Sequence, residues 1–335
     1  MKNNTRKKGS RQEGKSKIET CTGKKKGNKT VRKPIKKHIS PKTYKRICDC
    51  ANWIEMVSDK GAENMKIHRA NFCKNRFCPM CAWRQACKDA MKISVLMEYL
   101  KEEHGMCFIF VTFTAPNVKA DALTNEITRF NKAFYKMVER EIIEVMNHGY
   151  IRKLEITYNA ERDDYHPHFH VVFAVRKSYF TGRTYISQEK WLNEWRDVMQ
   201  DESITQVHVQ RVKGKENVKD ENGNTLRSAV DEIAKYFGKD SEYTQSQEIF
   251  DVFYTTLRGR QIITYNLKFK DANKLYKDGK LDKYKDRDMT EYFYMLLYRW
   301  HEDEDQYNEM SKRELTEAEK KAINFQALDE TEVSE

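Results

Sequence analysis

No stretch of this 335-residue chain is long and apolar enough to cross a bilayer. The first apolar run of note, Met106 to Val111, is only six residues long. The chain opens on basic and polar residues with no apolar run behind them, which argues against a secretory signal. An internal repeat is also lacking, so solenoid architectures are set aside. Carboxylates are almost missing from the first 46 residues, which hold 18 Lys/Arg and 2 Asp/Glu. The reverse holds at the other end: residues 301–335 carry 4 basic and 12 acidic residues, which leaves only +3 of the net +11 to the middle. The expectation is a soluble cytoplasmic protein with no membrane partner.

The charge is thus a property of two tails. A basic arm of this kind attracts polyphosphate by releasing counterions, although a merely solubilising tail has the same composition. Residues 1–43 have almost no large apolar side chains and are expected to be disordered without a partner. The acidic tail, 301–335, is expected to be a loosely attached helix.

The eight cysteines do not form the pattern of a disulfide framework. Cys48, Cys50, Cys73, Cys78 and Cys81 fall within 34 residues. In a reducing compartment such clustering points to metal rather than bridges. Cys73-x4-Cys78-x2-Cys81 supplies three thiolates, and the Cys48-Asp-Cys50 pair supplies the fourth, with Cys50 preferred over Cys48. Four thiolates suit a structural zinc ion, against the alternative of free thiols. A helix over about 83–102 follows, its apolar positions recurring at helical spacing.

From residue 107 the pattern alternates regularly. Strands are predicted at 107–114, 151–158, 166–175 and 205–212, with helices at 120–146 and 187–199. The order β-α-β-β-α-β predicts an α+β fold, the ferredoxin-like split βαβ, with helices on one face of the sheet and the other face free. A polar loop over 214–224 leads to a helix at 226–237. The predicted organisation is a disordered basic arm (1–43), a cysteine-rich zinc module with its helix (44–105), a catalytic domain (106–245), a mixed extension (246–300) and the acidic tail (301–335).

Three of the nine histidines lie in His166-Pro-His-Phe-His170. On a strand, His166, His168 and His170 share one face while Phe169, Val171 and Phe173 take the other. Two imidazoles at i and i+2 can converge on one cation. The preceding strand alternates in the same way, with Lys153, Glu155 and Thr157 as its polar set. Pairing the two strands antiparallel brings Glu155 beside His168 or His170. Two imidazoles and a carboxylate with open positions suit Mg2+ or Mn2+ acting as a Lewis acid on phosphate, with His166 a less certain ligand. A surface strand with exposed histidines is the bland alternative.

The helix 226–237 carries Glu232-Ile-Ala-Lys-Tyr236. Glu232 and Tyr236 are four apart, on one face and one turn from each other; alone this pairing is common and uninformative.

Together these segments resemble a family. Phe110-Val-Thr-Phe-Thr-Ala-Pro-Asn117, His166-Pro-His-Phe-His170 and Glu232-Ile-Ala-Lys-Tyr236 occur in the order of the three motifs of rolling-circle plasmid replication initiators of Gram-positive bacteria, members of the His-hydrophobe-His endonuclease superfamily. The stretches Asn71-Phe-Cys-Lys-Asn-Arg-Phe-Cys-Pro-Met-Cys-Ala-Trp-Arg84 and Leu257-Arg-Gly-Arg-Gln-Ile-Ile-Thr264 also look like segments of that family. The resemblance covers roughly residues 44–275. It implies a site-specific DNA endonuclease in which Tyr236 attacks one strand at a plasmid double-strand origin, leaving a 5′-phosphotyrosine and a free 3′-hydroxyl. It implies His168 and His170 as metal ligands and Glu232 as the carboxylate that helps end the cycle. Glu155 as third ligand rests on strand geometry and superfamily analogy. Lys235 and Lys239 are candidates for offsetting phosphate charge. The scissile bond is expected as single strand, and host helicase and polymerase are the implied partners. The sequence leaves the number of protomers open, a dimer among the options. The competing readings are a single-strand transposase or relaxase of the same superfamily, and a non-catalytic zinc-containing nucleic-acid-binding protein.

Overall fold

Alternation of apolar and polar residues between 106 and 176 produces three paired strands, and these carry the site. The computed structural model describes residues 17–212, 229–234 and 238–326. In chain order the elements are α1 (Lys17–Ile35), α2 (Pro41–Cys48), β1 (Trp53–Ser58), β2 (Met65–Ala70), α3 (Pro79–His104), β3 (Met106–Phe113), α4 (Leu123–Val138), α5 (Glu141–Glu144), β4 (Tyr150–Asn159), β5 (Asp164–Arg176), α6 (Gln188–Met199) and β6 (Val207–Arg211). Then follow α7 (Ala229–Ala234), α8 (Asp240–Tyr243), α9 (Gln247–Leu257), β7 (Ile263–Tyr265), α10 (Lys268–Lys277), β8 (Tyr294–His301), β9 (Gln306–Glu314) and α11 (Glu317–Ile323). No described helix is long and apolar enough to cross a membrane.

The chain is α+β, with two antiparallel sheets. The larger has the order β6-β3-β5-β4-β7. Its first four strands, with α4 and α6 as the connecting helices, are the split βαβ arrangement expected from the sequence. Pro167 is tolerated inside β5 because the pairing with β3 reaches only to Phe169; at Pro167 the strand has β4 alone beside it.

One face of this sheet is largely apolar, with Arg152 of β4 buried in it over the Phe134 and Phe169 rings and donating to Asn131 Oδ1 at 2.9 Å. Phe169, Val171 and Phe173 of β5 pack with Phe130 and Phe134 of α4 and Trp191 and Trp195 of α6, all essentially without solvent exposure. The Trp195 indole N–H donates to Thr114 O at 2.8 Å, so the buried ring keeps a partner for its polar atom.

The opposite face differs from the expectation that it stands free. Phe108 and Phe110 of β3, Ile151 of β4, and Val172 and Ala174 of β5 form a second core with Ile93, Leu96 and Leu100 of α3, Ile233 of α7 and Phe269 of α10. The cover is partial: toward the start of β5 that face turns polar at His170 and His168. The site therefore opens at the edge of an apolar cluster.

Both tails also depart from expectation. Residues 17–35, expected to be disordered, form α1, packed on α3, α2 and α9. Its sequence hides this because polar groups hold it. Lys25 is fully buried, its ammonium donating to Cys50 O at 2.5 Å and Asn52 Oδ1 at 2.6 Å. Burial, then the nearby Arg32 charge, lowers its pKa to about 8. Asn28 is buried too and donates to Ile47 O at 3.1 Å.

Residues 301–335, expected as a loose helical tail, contain β9 and α11. The smaller sheet has the order β2-β1-β8-β9, so this tail completes a sheet begun by the cysteine segment, and the predicted boundaries at 105 and 301 do not separate independent units. The opposite charges of the two tails meet: Lys29 Nζ lies 2.6 Å from Asp305 Oδ1 and Arg32 2.6 Å from Glu302 Oε1. Part of the arm's positive charge is thus used inside the fold rather than offered to polyphosphate. The loop expected over 214–224 lies outside the described residues.

Candidate functional site

Register on the open part of the sheet decides which polar side chains meet. Glu155 of β4 stands opposite His168 of β5, and Lys153 opposite His170, whose other neighbour is Thr112 of β3. Directly opposed residues in an antiparallel pair share a face. Glu155 Oε2 lies 3.2 Å from His170 Nε2 and 3.8 Å from His168 Nε2. One ligand atom from each of the three side chains falls within 4.8 Å of the others.

The outer nitrogens are also engaged. His170 Nδ1 is 3.2 Å from Thr112 Oγ1, and His168 Nδ1 is 3.3 Å from His166 O. A His170 ring with Nε2–H donates to Glu155 at this distance, whereas tautomers that donate Nδ1–H to Thr112 and to His166 O would leave each Nε2 lone pair free for a metal ion. Phe110 stacks on His170 with ring centroids 5.4 Å apart, fixing the ring plane from below.

The electrostatics leave the trio ready for a cation. Burial favours the protonated Glu155 carboxyl, but the hydrogen bond with His170 and the Lys153 charge outweigh it and hold the group at about 2. Burial, with His170 beside it, brings His168 down to about 3. At neutral pH the site thus presents a carboxylate and a neutral imidazole, a donor set that fits a divalent ion of intermediate hardness.

His166 is not part of this trio. It lies opposite Thr157, one row further along, and stacks on His168 with centroids 5.2 Å apart. Sequence reasoning gave no role to two neighbours. Lys153 is fully buried with Nζ 3.4 Å from Glu155 Oε2. His208 of β6, exposed and opposite Thr112, extends the row on the same face. Only the register of β3 with β6 could have revealed the second.

The remaining candidates lie around α7. Glu232 is in the described helix, but its side chain is not described; Lys235 and Tyr236 lie outside the described residues. The flanks are informative. Ile233 and Ala234 are buried, and α7 packs on α3, β5 and β4. Gly238 is buried against β4, where an added β-carbon would meet Ile156 O at 2.9 Å. Lys239 is exposed and pairs with Glu242 at 3.5 Å. Tyr243 is buried, its hydroxyl donating to Phe77 O at 3.4 Å, which makes it a core residue.

The cysteines converge separately. Cys50, Cys73, Cys78 and Cys81 bring their sulfurs within 4.8 Å of one another. Cys50 and Cys73 each lie 3.5 Å from Cys81, and Cys78 lies 3.6 Å from Cys50. A tetrahedral site with metal–sulfur bonds of about 2.3 Å has edges of about 3.8 Å, so the quartet fits a zinc module. Backbone N–H groups of Cys73 and Lys74 donate to the Cys50 and Cys81 sulfurs, and Asn28 of α1 donates to Cys78. Hydrogen bonding from Cys50 and the other thiols holds Cys78 well below the usual thiol range. Cys48 stands outside the quartet, beside Tyr44.

A family model described as "Replication protein" matches residues 64–308. "Protein rep" of Staphylococcus aureus is 48% identical over 227 residues, covering 68% of this chain and 95% of that protein. "Protein rep" of a Bacillus species is 34% identical over 247 residues, 70% of this chain and 80% of the relative. "Protein rep" of Streptococcus pneumoniae serotype 2 is 30% identical over 233 residues, 68% and 70% of the two chains. No solved structure matches.

Proposed function

The chain belongs to the replication protein family, which bears out the resemblance to plasmid replication initiators of Gram-positive bacteria, and on that premise we propose that it starts rolling-circle replication by nicking one DNA strand through Tyr236. The observation that carries the reading is the convergence of Glu155, His168 and His170 on one sheet face, beside the helix that leads two residues later into Tyr236.

Glu155, His168 and His170 would hold a divalent ion, Mg2+ or Mn2+, and the chemistry it supplies when bound is withdrawal of charge from the scissile phosphate. The Tyr236 hydroxyl, with an unperturbed pKa near 10, loses its proton as its oxygen bonds to phosphorus. The bond from phosphorus to the 3′ oxygen breaks, and that oxygen takes up a proton. The products are a 5′-phosphotyrosine and a 3′-hydroxyl that a host polymerase extends behind a host helicase. The covalent link conserves the phosphodiester, so strand transfer can close the cycle. Glu232, four residues before the nucleophile, activates water for the terminating cut. Lys239, and Lys235 beside the nucleophile, offset phosphate charge. The scissile bond is presented as single strand, because duplex pairing would bar the tyrosine from it.

Cys50, Cys73, Cys78 and Cys81 would hold a structural zinc ion, tying the start of α3 to the segments around β1 and β2. This work is done in the cytoplasm, where thiols stay reduced.

The test is incubation with end-labelled single-stranded origin DNA and Mn2+. A covalent adduct that resists denaturation supports the reading. Retention of DNA without an adduct would make the protein a zinc-containing DNA binder instead.

A further inference from the structure

Two motifs with no part in the nicking chemistry meet in space. Arg76 of the cysteine segment donates to Leu257 O at 3.0 Å and Arg260 O at 2.8 Å, locking the stretch 71–84 against the stretch 257–264 from the other end of the chain. Between them runs a groove of about 1050 Å3, bounded by the cysteine module, the exposed side of α3 and the edge strand β7.

Its lining has a strong sign. Among the described residues, Arg46, Arg69, Lys74, Arg76, Arg84 and Lys88 are cationic, while Asp89 is the one carboxylate and is engaged by Lys92 at 3.0 Å. Flat surfaces alternate with the charges. Trp53 lines one wall half-buried, and the Arg84 guanidinium lies 3.8 Å over the Phe72 ring, forming a composite planar surface. Phosphate-neutralising cations interleaved with aromatic and guanidinium planes suit an unpaired strand, whose bases are free to stack; a duplex hides those faces.

The groove also has a direction. Ala234 of α7 and Ile263 of β7 line it. Ala234 precedes Tyr236 by two residues, and Ile263 pairs with Lys153, whose ammonium contacts Glu155. One end therefore runs to α7 and β7, the elements that flank the metal-site strand β4, and the other reaches the cysteine centre at Cys81.

We propose that this groove is the track for single-stranded DNA next to the scissile bond, with Arg46, Arg69 and their neighbours on the phosphates and bases stacked on Trp53 and the Phe72–Arg84 pair. The proposal rests on the nicking reading for its ligand. In it the cysteine centre shapes one wall of a substrate channel, and the motif at 257–264 supplies the other.

The experiment uses the full chain carrying Tyr236→Phe, so that cleavage does not enter. An oligodeoxythymidylate of about 12 nucleotides, within the range such sites cover, carries iodouracil for photocross-linking. The expected cross-links map to Trp53 and the peptide 71–84. Affinity for the same oligonucleotide is then measured across salt concentrations. Each lost phosphate contact flattens the logarithmic salt slope by about 0.7 on single strands, so Arg46→Gln with Arg69→Gln should flatten it by roughly 1.4. Both side chains are exposed and Arg69 has only a surface ion pair with Glu55 at 3.1 Å to lose, so this variant keeps its fold. Cross-links confined to other surfaces, or an unchanged slope, would overturn the proposal. The two readings fail separately: a parent chain that cross-links in the groove but forms no covalent adduct sinks the nicking reading, and one that forms the adduct but cross-links elsewhere sinks the groove.

Discussion

Gly238 lies so close to the Ile156 carbonyl that a β-carbon on it would sit 2.9 Å from that oxygen and 3.3 Å from the Phe253 ring. Two residues after the candidate nucleophile, the chain is thus pressed onto the strand that carries Glu155. Gly238→Ala should force the backbone off β4. Overpacking of this kind costs about 1–3 kcal/mol, and a shift of about 1 Å at a reacting group costs on the order of 10²-fold in rate. The expected result is a modest fall in thermal midpoint with a much larger fall in adduct formation. Parallel losses in both would mean that Gly238 serves packing only.

Metal analysis of the purified protein should find zinc near one equivalent. Cys50→Ser should lose it and melt early, while Cys48→Ser keeps it, because only Cys50 joins the sulfur quartet. Loss of zinc on changing Cys48 would refute the assignment of the fourth ligand.

His168→Ala should abolish cleavage while leaving the melt close to that of the parent, since apolar faces hold the strands. Glu155→Ala is expected to behave differently. It removes an anionic partner of the fully buried Lys153 ammonium, and breaking buried pairs costs about 3–5 kcal/mol. Glu155→Gln, which keeps shape and a hydrogen-bond acceptor, should be inactive with a smaller loss of stability. An active His168→Ala protein would remove this trio from the mechanism.

Tyr236→Phe should eliminate the covalent adduct with single-stranded origin DNA. Glu232→Ala should still nick but fail to end the cycle, so multimeric single-stranded product accumulates. If Glu232 makes only a surface pair with Lys235 or Lys239, worth about 0.2–0.5 kcal/mol, its variant will nick and terminate like the parent.

The clamp of α1 onto the β8–β9 turn should weaken in acid. Burial works against the Glu302 carboxylate, but hydrogen bonds from Arg32 and Trp300 and the nearby charges of Arg32 and Lys29 hold its pKa below the usual value. A depressed carboxylate contributes stability that is present above the unfolded pKa and fades as pH falls through the folded one. Limited proteolysis within residues 17–35 should therefore accelerate below about pH 4, near the ordinary glutamate value. The same acceleration at pH 7 in Glu302→Gln would confirm the cause, and a pH-independent rate would exclude it.

The sequence carried the split βαβ core because its strands and helices have clean periods of 2 and 3.6, and each strand buries one face. The same alternation puts His168, His170 and Glu155 on one face from the sequence alone. It could not separate His166 from His168, since both have the same parity; only register with β4 sets the rows.

What the sequence determined by itself is local: which residues alternate, which recur every turn, and which chemical groups lie close along the chain. What only the tertiary structure decided depends on pairs far apart in number. Lys25 of a helix with no apolar period is fixed by carbonyls near the cysteine centre. The acidic tail becomes a strand because β8 offers it an edge. The free face of the sheet is half covered by α3, α7 and α10. Each of these rests on a buried polar contact or a long-range strand pairing, whose energy depends on the partner and therefore leaves no periodic trace in the segment that receives it.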